Sequence, residues 1–139
     1  MPVVLHGRGL SRGTGQGSIL VSPEPISFLG GVDPESGTVI ERGHPLFGRV
    51  VTGRILVFPH GKGSTVGSYV LYALARNEKA PAGIVNTEAE PIIVTGAIIA
   101  GIPLVDHPGV PLALFRDGVI AWVDGEIGEI RYEGELEGP

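Results

Sequence analysis

Three short runs of consecutive apolar residues lie in the middle of the chain, each bounded by turn-forming residues. They read RILVFP at 54–59, AGIVN at 82–86 and IPLVD at 102–106. Continuous apolar runs of this length, rich in β-branched residues, are typical of strands that are buried on both faces. The pattern therefore predicts three buried strands.

Two segments with a helical pattern separate these strands. In TVGSYVLYALARN, at 65–77, the predicted buried face consists of Val66, Tyr69, Val70, Ala73 and Leu74. TEAEPIIVTGAIIAG, at 87–101, is apolar almost all round, and Pro91 fits its first turn because a proline loses no hydrogen bond there. Strands joined by such helices pair in parallel through right-handed crossovers. The middle of the chain therefore predicts a small parallel α/β half.

The flanking regions predict mainly strands and turns. Before the α/β half, strands are expected at VVLHGRGL, SILVS, 26–29 and 38–41, with a loop at SRGTGQG and a turn at Asp33-Pro34. After it, GVIAWVD and EIGEIRYE predict a hairpin around Asp124-Gly125, and residues 133–139 a frayed tail. We therefore expect the α/β fold class, with a β-rich N-terminal layer packed against the α/β half in a single domain spanning residues 1–139.

Composition and charge narrow the possible functions. The chain has 139 residues with a net charge of −5, which disfavours a general nucleic-acid surface. It contains no cysteine, and hence offers no thiolate ligand for zinc or an iron–sulfur cluster. Its apolar runs are too short to span a bilayer, and no signal-peptide pattern opens it. The expectation is a cytoplasmic protein that binds neither nucleic acid nor membrane.

Polar residues follow each of the three buried strands, at 60–65, 86–90 and 106–108. Ligands of open parallel sheets gather beyond the carboxyl ends of the strands, so these three segments are expected to meet at one site. Asn86, Thr87, Glu88 and Glu90 could reach that site, although capping of the next helix is favoured for Thr87 and Glu88.

The first of these segments, in FPHGKGSTVGSY, combines several features of an anion-binding loop. Gly61 and Gly63 permit unusual backbone angles, and Ser64 is a natural N-cap for the helix that follows. The helix N-terminus attracts negative charge, and Lys62 adds a cation. The spacing differs from a Walker A loop, because Lys62 precedes the second glycine. The alternative is that Ser64 only caps the helix and Lys62 is solvated.

Three long motifs carry a family resemblance. HGKGSTVGSYVLYAL, APAGIVNTEAEPIIVTGAIIAGIPLVD and GGVDPESGTVIERGHPLFGR occur in a chain that resembles the small subunit of the aconitase X family over residues 5–123. The resemblance implies a swivelling β/β/α domain related to the mobile domain of aconitase. It also implies a two-subunit dehydratase, a hydro-lyase, whose cysteine-bearing large subunit carries a [4Fe-4S] cluster; this chain would bind no metal.

The resemblance further implies a substrate and site residues. Ser64, the serine of G-x-G-S, would be the proton acceptor, and Gly61, Lys62, Gly63 and Thr65 would bind the substrate. The substrate would be a phosphorylated hydroxy acid, 5-phosphomevalonate, which loses water; cis-3-hydroxy-L-proline is the alternative within the family. Related swivel domains carry an arginine where Val66 stands. Another cation must replace it, and the sequence does not rank Arg8, Arg12, Arg49 and Arg54.

Two other classes of function stay open at this point. His60 could be the phosphocarrier of a swivelling phosphotransfer domain, or the chain could be a non-catalytic anion-binding module. His44, Asp106 and His107 are interpreted as turn or interface residues, and Trp122 as a core residue or a subunit contact.

Overall fold

The computed structural model describes residues 2–133, which form one mixed sheet of eight strands and two helices. The strands are β1 (Pro2–His6), β2 (Arg8–Ser11), β3 (Thr14–Val21), β4 (Ile55–Phe58), β5 (Gly83–Asn86), β6 (Leu104–Asp106), β7 (Ile120–Asp124) and β8 (Glu129–Glu133). The helices are α1 (Gly67–Arg76) and α2 (Pro91–Ala100), and a short 3-10 turn spans Leu112–Leu114. The predicted α/β class is confirmed.

The sheet closes on itself at its two ends. The strand order is β1-β8-β7-β3-β4-β5-β6-β2, so its first and last members are consecutive in the chain and separated by Gly7 alone. The prediction of one strand in VVLHGRGL is therefore wrong: β1 pairs with β8, and β2 with β6. A Cβ at Gly7 would lie 2.2 Å from the carbonyl oxygen of Asp106, so this corner of the sheet accommodates only glycine.

The three predicted buried strands are confirmed as β4, β5 and β6. Each pairs in parallel with the next, and β4 also pairs in parallel with β3. Their side chains alternate between two apolar clusters. In β4, Ile55 and Val57 face a cluster inside the closed sheet, whereas Leu56 and Phe58 face a cluster beneath the helices. Because both faces are buried, the sequence shows an uninterrupted apolar run rather than an alternating one.

The segment SRGTGQG was expected to be a loop, but its TGQG part opens the eight-residue strand β3. A Cβ at Gly15 would lie 1.8 Å from the carbonyl oxygen of Ala82, and one at Gly17 would lie 2.2 Å from that of Gly53. The glycines are thus required by the close approach of a neighbouring backbone.

The expected strands at 26–29 and 38–41 are also absent from the described residues, because this part of the chain forms only isolated bridges. It covers the outer cluster with buried side chains such as Phe28 and Leu46 instead of extending the sheet. The Asp33-Pro34 turn is confirmed, since the Asp33 carboxylate accepts hydrogen bonds from the Glu35 N–H and the Ser36 hydroxyl.

The predicted buried face of α1 is partly wrong. Val70 and Leu74 are buried as expected, but Leu71 joins them, and Tyr69 is 66% and Val66 46% exposed. The reason is the close packing of the two helices: a Cβ at Gly96 of α2 would lie 3.1 Å from the Cα of Ser68.

Helix α2 begins at Pro91, four residues later than predicted, with proline in the first turn as expected. The β7–β8 hairpin is confirmed. Glu133 belongs to β8 rather than to a frayed tail, and residues 134–139 of that prediction lie outside the described residues.

Candidate active site

The three polar segments after β4, β5 and β6 meet at one edge of the sheet, as expected. The Pro59 carbonyl accepts hydrogen bonds from the N–H groups of Thr87 (3.0 Å) and Glu88 (3.3 Å). The Thr87 carbonyl accepts one from the His107 N–H at 3.1 Å. Backbone hydrogen bonds therefore link the three segments in series.

The loop after β4 presents Ser64 to solvent. Gly63 has a φ of +88°, which favours glycine, and residues 62–66 are all exposed. The Ser64 Oγ accepts a hydrogen bond from the Val66 N–H at 3.1 Å, within a turn that precedes α1. The N-cap of α1 is Val66, so the prediction that Ser64 caps the helix is wrong. Its hydroxyl belongs to the loop and not to the helix.

The other residues of this loop differ in exposure. Gly61 is buried, and a Cβ there would lie 2.5 Å from Glu90 Oε1, so the loop packs on the start of α2. Thr65 is exposed, and its carbonyl accepts a hydrogen bond from the Ser68 hydroxyl at 2.9 Å.

Lys62 lies beside a carboxylate that the sequence did not point to. Its Nζ is 3.6 Å from Glu41 Oε2, and its N–H donates to the Ile26 carbonyl at 3.1 Å. Lys62 therefore has a fixed backbone and a loosely paired ammonium. Glu41 is 21 positions earlier in an irregular segment, and only the fold brings it here.

His60 is exposed, and its Nδ1 donates to the Gly61 carbonyl at 2.7 Å. A carbonyl only accepts, so the neutral ring carries its proton on Nδ1. This contact orients the imidazole against its own loop.

Asp106 was interpreted as a turn or interface residue, and that interpretation is wrong. Its carboxylate is fully buried and accepts two hydrogen bonds from Arg8, at 2.9 and 2.7 Å, and one from the Ala89 N–H at 2.9 Å. Burial acts to raise the pKa of Asp106, but these hydrogen bonds and the charge of Arg8 outweigh it, so the pKa lies below its ordinary value. Asp106 thus joins β2, β6 and the loop before α2.

The four candidate arginines lie in different parts of the fold. Arg54 donates to the carbonyls of Ser18 and Ile19 at the amino end of β4. Burial is the main cause of its lowered pKa. Arg49 pairs with Asp117 at 3.4 Å. Arg12 follows β2, whose antiparallel pairing with β6 places it away from the carboxyl edge. Of the four, Arg8 lies at the edge where the three loops meet.

The expected capping by Thr87 and Glu88 is also wrong. The cap of α2 is Glu90, whose carboxylate accepts hydrogen bonds from the N–H groups of Ile92 (2.9 Å) and Ile93 (3.1 Å). Glu88 instead lies 3.3 Å from the Nε2 of His107, a residue with a φ of +50°. Asn86 is buried and donates to the Phe58 carbonyl at 3.0 Å.

His44 and Trp122 have structural environments. His44 is buried; its Nδ1 accepts from the Leu46 N–H and its Nε2 donates to the Pro25 carbonyl, each at 3.0 Å. Its interpretation as a turn residue is confirmed, because its N–H donates to the Glu41 carbonyl at 3.2 Å and its carbonyl accepts from the Phe47 N–H at 3.0 Å. Trp122 is half-buried on β7, where it lines a groove with Gln16 and Arg131 on the antiparallel part of the sheet.

The chain contains no cysteine, and residues 2–133 hold no group of three or more His, Asp or Glu side chains that could bind a metal ion. No helix in that range has the length and apolar character needed to cross a membrane.

A closed mixed sheet, with two helices over its parallel strands and an exposed serine that follows a glycine before the first helix, is the architecture of a known domain class. The profile of the aconitase X swivel domain matches residues 4–132, and the chain belongs to that family.

Among individual proteins, the chain is 56% identical over 126 residues to the phosphomevalonate dehydratase small subunit of Methanothermobacter thermautotrophicus, covering 90% of this chain and 96% of that protein. It is 51% identical over 139 residues to the protein of the same name from Methanosarcina mazei, covering 99% and 96%.

Two solved structures are similar to this fold. The crystal structure of Thermococcus kodakaraensis aconitase X in its holo-form superposes with a TM-score of 0.90 at 48% identity, covering 95% of this chain and 99% of that one. A UPF0107 protein solved by solution NMR superposes with a TM-score of 0.82 at 44% identity, covering 98% and 100%.

Proposed function

We propose that this chain is the small subunit of a phosphomevalonate dehydratase, a hydro-lyase. The enzyme would convert (R)-5-phosphomevalonate to trans-anhydromevalonate 5-phosphate and water, in the archaeal modified mevalonate pathway to isoprenoids. The observation that carries this proposal is the identity of 51–56% with two relatives of that name over at least 90% of the chain. A cytoplasmic location and action of the whole chain as one swivelling domain are part of the proposal.

A large subunit is the partner that the proposal requires. The relatives are named small subunits, which implies a larger partner. The residues of this chain do not fit an iron–sulfur cluster, since there is no cysteine and no metal-binding group in residues 2–133. A [4Fe-4S] cluster would therefore be held by the large subunit, where it would act as a Lewis acid on the departing hydroxyl.

Ser64 is proposed as the proton acceptor, taking the proton from the carbon next to the substrate carboxylate. Its exposed position leaves the hydroxyl accessible to a substrate held between the subunits. A serine is a weak base, so its oxygen needs stabilisation as it gains charge. The Val66 N–H already donates to this oxygen at 3.1 Å, and the N-terminus of α1 lies three residues on.

The remaining loop residues are proposed to bind the substrate. Lys62 supplies the positive charge, and Gly61 and Gly63 allow the backbone to approach the ligand closely. Thr65 adds an exposed hydroxyl next to Ser64. No observation favours the phosphocarrier role of His60, whose ring is turned onto the Gly61 carbonyl.

The test is to co-express the chain with its cysteine-bearing large subunit under anaerobic conditions. The assembled enzyme is then offered 5-phosphomevalonate and cis-3-hydroxy-L-proline. We expect turnover of the first and not of the second, and no activity or cluster in the lone chain. Turnover of cis-3-hydroxy-L-proline alone would contradict the proposed substrate. An active lone chain that carries a cluster would contradict the proposal that a large subunit is required.

A further inference from the structure

The loop that precedes Ser64 borders a pocket whose other lining residues come from the irregular segment before β4. The segment at 27–31 and the loop residues 62–63 enclose an open pocket of about 340 Å³. Its lining consists of Ser27, Leu29, Gly30, Gly31, Glu41, Lys62 and Gly63. Gly63 immediately precedes Ser64, so a molecule in this pocket would lie beside the proposed proton acceptor.

The glycines make room for polar groups in this pocket. A Cβ at Gly63 would lie 2.6 Å from the Ser27 Oγ, and one at Gly31 would lie 3.3 Å from Glu41 Oε1. The Ser27 hydroxyl and the Glu41 carboxylate therefore rest directly on glycine backbone. The pocket wall is made of main chain, one hydroxyl, one carboxylate and one ammonium, with Leu29 as its apolar side chain.

The two charged groups of the pocket are loosely paired. The Lys62 Nζ and Glu41 Oε2 are 3.6 Å apart, which is longer than a charge-assisted hydrogen bond. The two side chains are 46% and 33% exposed. Exposed pairs of this kind contribute little to stability, so displacement of the Glu41 carboxylate by another anion costs little. The Glu41 carboxylate thus lies where the carboxylate of a bound ligand would contact the Lys62 ammonium.

We propose that this pocket is the subsite for an anionic end of the substrate, and that Glu41 sets its affinity by competing for Lys62. The inference rests on the proposed function, because that function supplies a substrate with a carboxylate and a phosphate. On binding, the oxyanion takes the place of the Glu41 carboxylate at the ammonium. Glu41 is a residue that weakens binding, and the reaction itself does not use it.

The first test uses the lone full-length chain and amide NMR. Inorganic phosphate and acetate are titrated separately into wild type, Glu41→Gln, Lys62→Ala and Glu35→Gln. Glu35 is a matched control, since it is an exposed carboxylate in the neighbouring Asp33-Pro34 turn. We expect shifts at the amides of Gly30, Gly31 and Gly63, and a dissociation constant about two- to fivefold lower in Glu41→Gln.

The two probes identify the anion that the pocket takes. Shifts with phosphate alone assign the phosphate end, shifts with acetate alone assign the carboxylate end, and shifts with both assign a general oxyanion site. Shifts that are absent from these amides overturn the proposal. So does a Glu41→Gln variant that binds no more tightly than wild type and Glu35→Gln.

The second test measures KM and kcat of the enzyme assembled with its large subunit. We expect Glu41→Gln to lower KM about two- to fivefold with kcat within twofold, and Lys62→Ala to raise KM and cancel the gain of Glu41→Gln. If Glu41→Gln raises KM as Lys62→Ala does, Glu41 holds the lysine in place. The proposal that Glu41 competes with the substrate for Lys62 would then be wrong. If wild type does not dehydrate phosphomevalonate while the NMR shifts appear, the proposed function fails and the anion subsite stands.

Discussion

Two regions at the same edge of the sheet are built in opposite ways. Residues 62–66 form an exposed loop in which Ser64 accepts one backbone hydrogen bond and Lys62 is loosely paired. In the Arg8–Asp106 cluster, a fully buried carboxylate accepts three hydrogen bonds, from Arg8 and from the Ala89 N–H. The loop at 86–90 lies between the two regions: its Thr87 and Glu88 N–H groups donate to the Pro59 carbonyl, just before the exposed loop, and its Ala89 N–H donates to Asp106.

The two regions differ in the role that they suit: the exposed loop suits ligand binding and catalysis, and the buried cluster suits stabilisation of the fold. Polar groups in the exposed loop exchange water for a ligand at low cost, because water satisfies them when no ligand is bound. The buried carboxylate has no such alternative, and removal of its partners leaves an uncompensated charge. Changes in the loop should therefore alter turnover and leave stability nearly intact, whereas changes in the cluster should do the reverse.

The largest effect should come from Ser64→Gly. We expect the assembled enzyme to lose about 10²–10⁴-fold in kcat, because the proton acceptor is gone. The stability of the chain should fall by only about 1 kcal/mol or less, since a single exposed hydrogen bond is lost. Steady-state kinetics and thermal unfolding measure the two quantities.

Ser36→Gly is the matched control for Ser64→Gly, because Ser36 is an exposed serine that also makes turn hydrogen bonds. It should keep wild-type turnover. If Ser64→Gly assembles with the large subunit and also keeps wild-type turnover, the base lies elsewhere.

The reverse case is Asp106→Ala. We expect the free energy of unfolding to fall by about 2–3 kcal/mol, because three hydrogen bonds are lost and the Ala89 N–H is left without its acceptor, whereas the half-exposed Arg8 is hydrated. Denaturant unfolding of the lone chain measures this loss. If this variant were as stable as Ser64→Gly, the proposed difference in stability between the two regions would be wrong.

The contribution of Asp106 to stability should also depend on pH. The pKa of Asp106 is lower in the folded chain than its ordinary value, so the unfolded chain takes up the proton first as the pH falls. The stabilisation is present above about pH 4 and is lost below it, as the pH falls towards the folded-state pKa. The difference in unfolding free energy between wild type and Asp106→Asn should therefore shrink below about pH 4; a constant difference from pH 3 to 7 would contradict this.

The smallest effect should come from the residue between the two regions. Glu90→Ala removes the cap of α2 and should cost about 1 kcal/mol of stability. Glu90→Gln keeps an acceptor oxygen and should lose less. Because Glu90 also lies against Gly61, we expect Glu90→Ala to lower turnover modestly, by less than Ser64→Gly does. Unchanged stability of Glu90→Ala would show that the cap is dispensable.

Much of the site was predictable from the chain because it depends on local signals. Residues that follow a buried parallel strand lie at the carboxyl edge of the sheet, and this rule places residues 60–65, 86–90 and 106–108 together. The same rule does not say which side chain turns inward. Asp106 ends β6 with its carboxylate buried, whereas the next residue, His107, is exposed.

The sequence by itself determined the buried strands β4 to β6, the two helices, the hairpin and the Ser64 loop, because apolar runs, helical spacing and turn residues act over a few positions. Only the tertiary structure decided how the sheet closes at Gly7, why Gly15 and Gly17 lie within a strand, and which carboxylates meet Arg8 and Lys62. Those features join residues that are far apart in the chain; the members of the Arg8–Asp106 pair are 98 positions apart. No local pattern encodes such a contact, since it arises when strands distant in the chain are brought side by side by burial of their shared core.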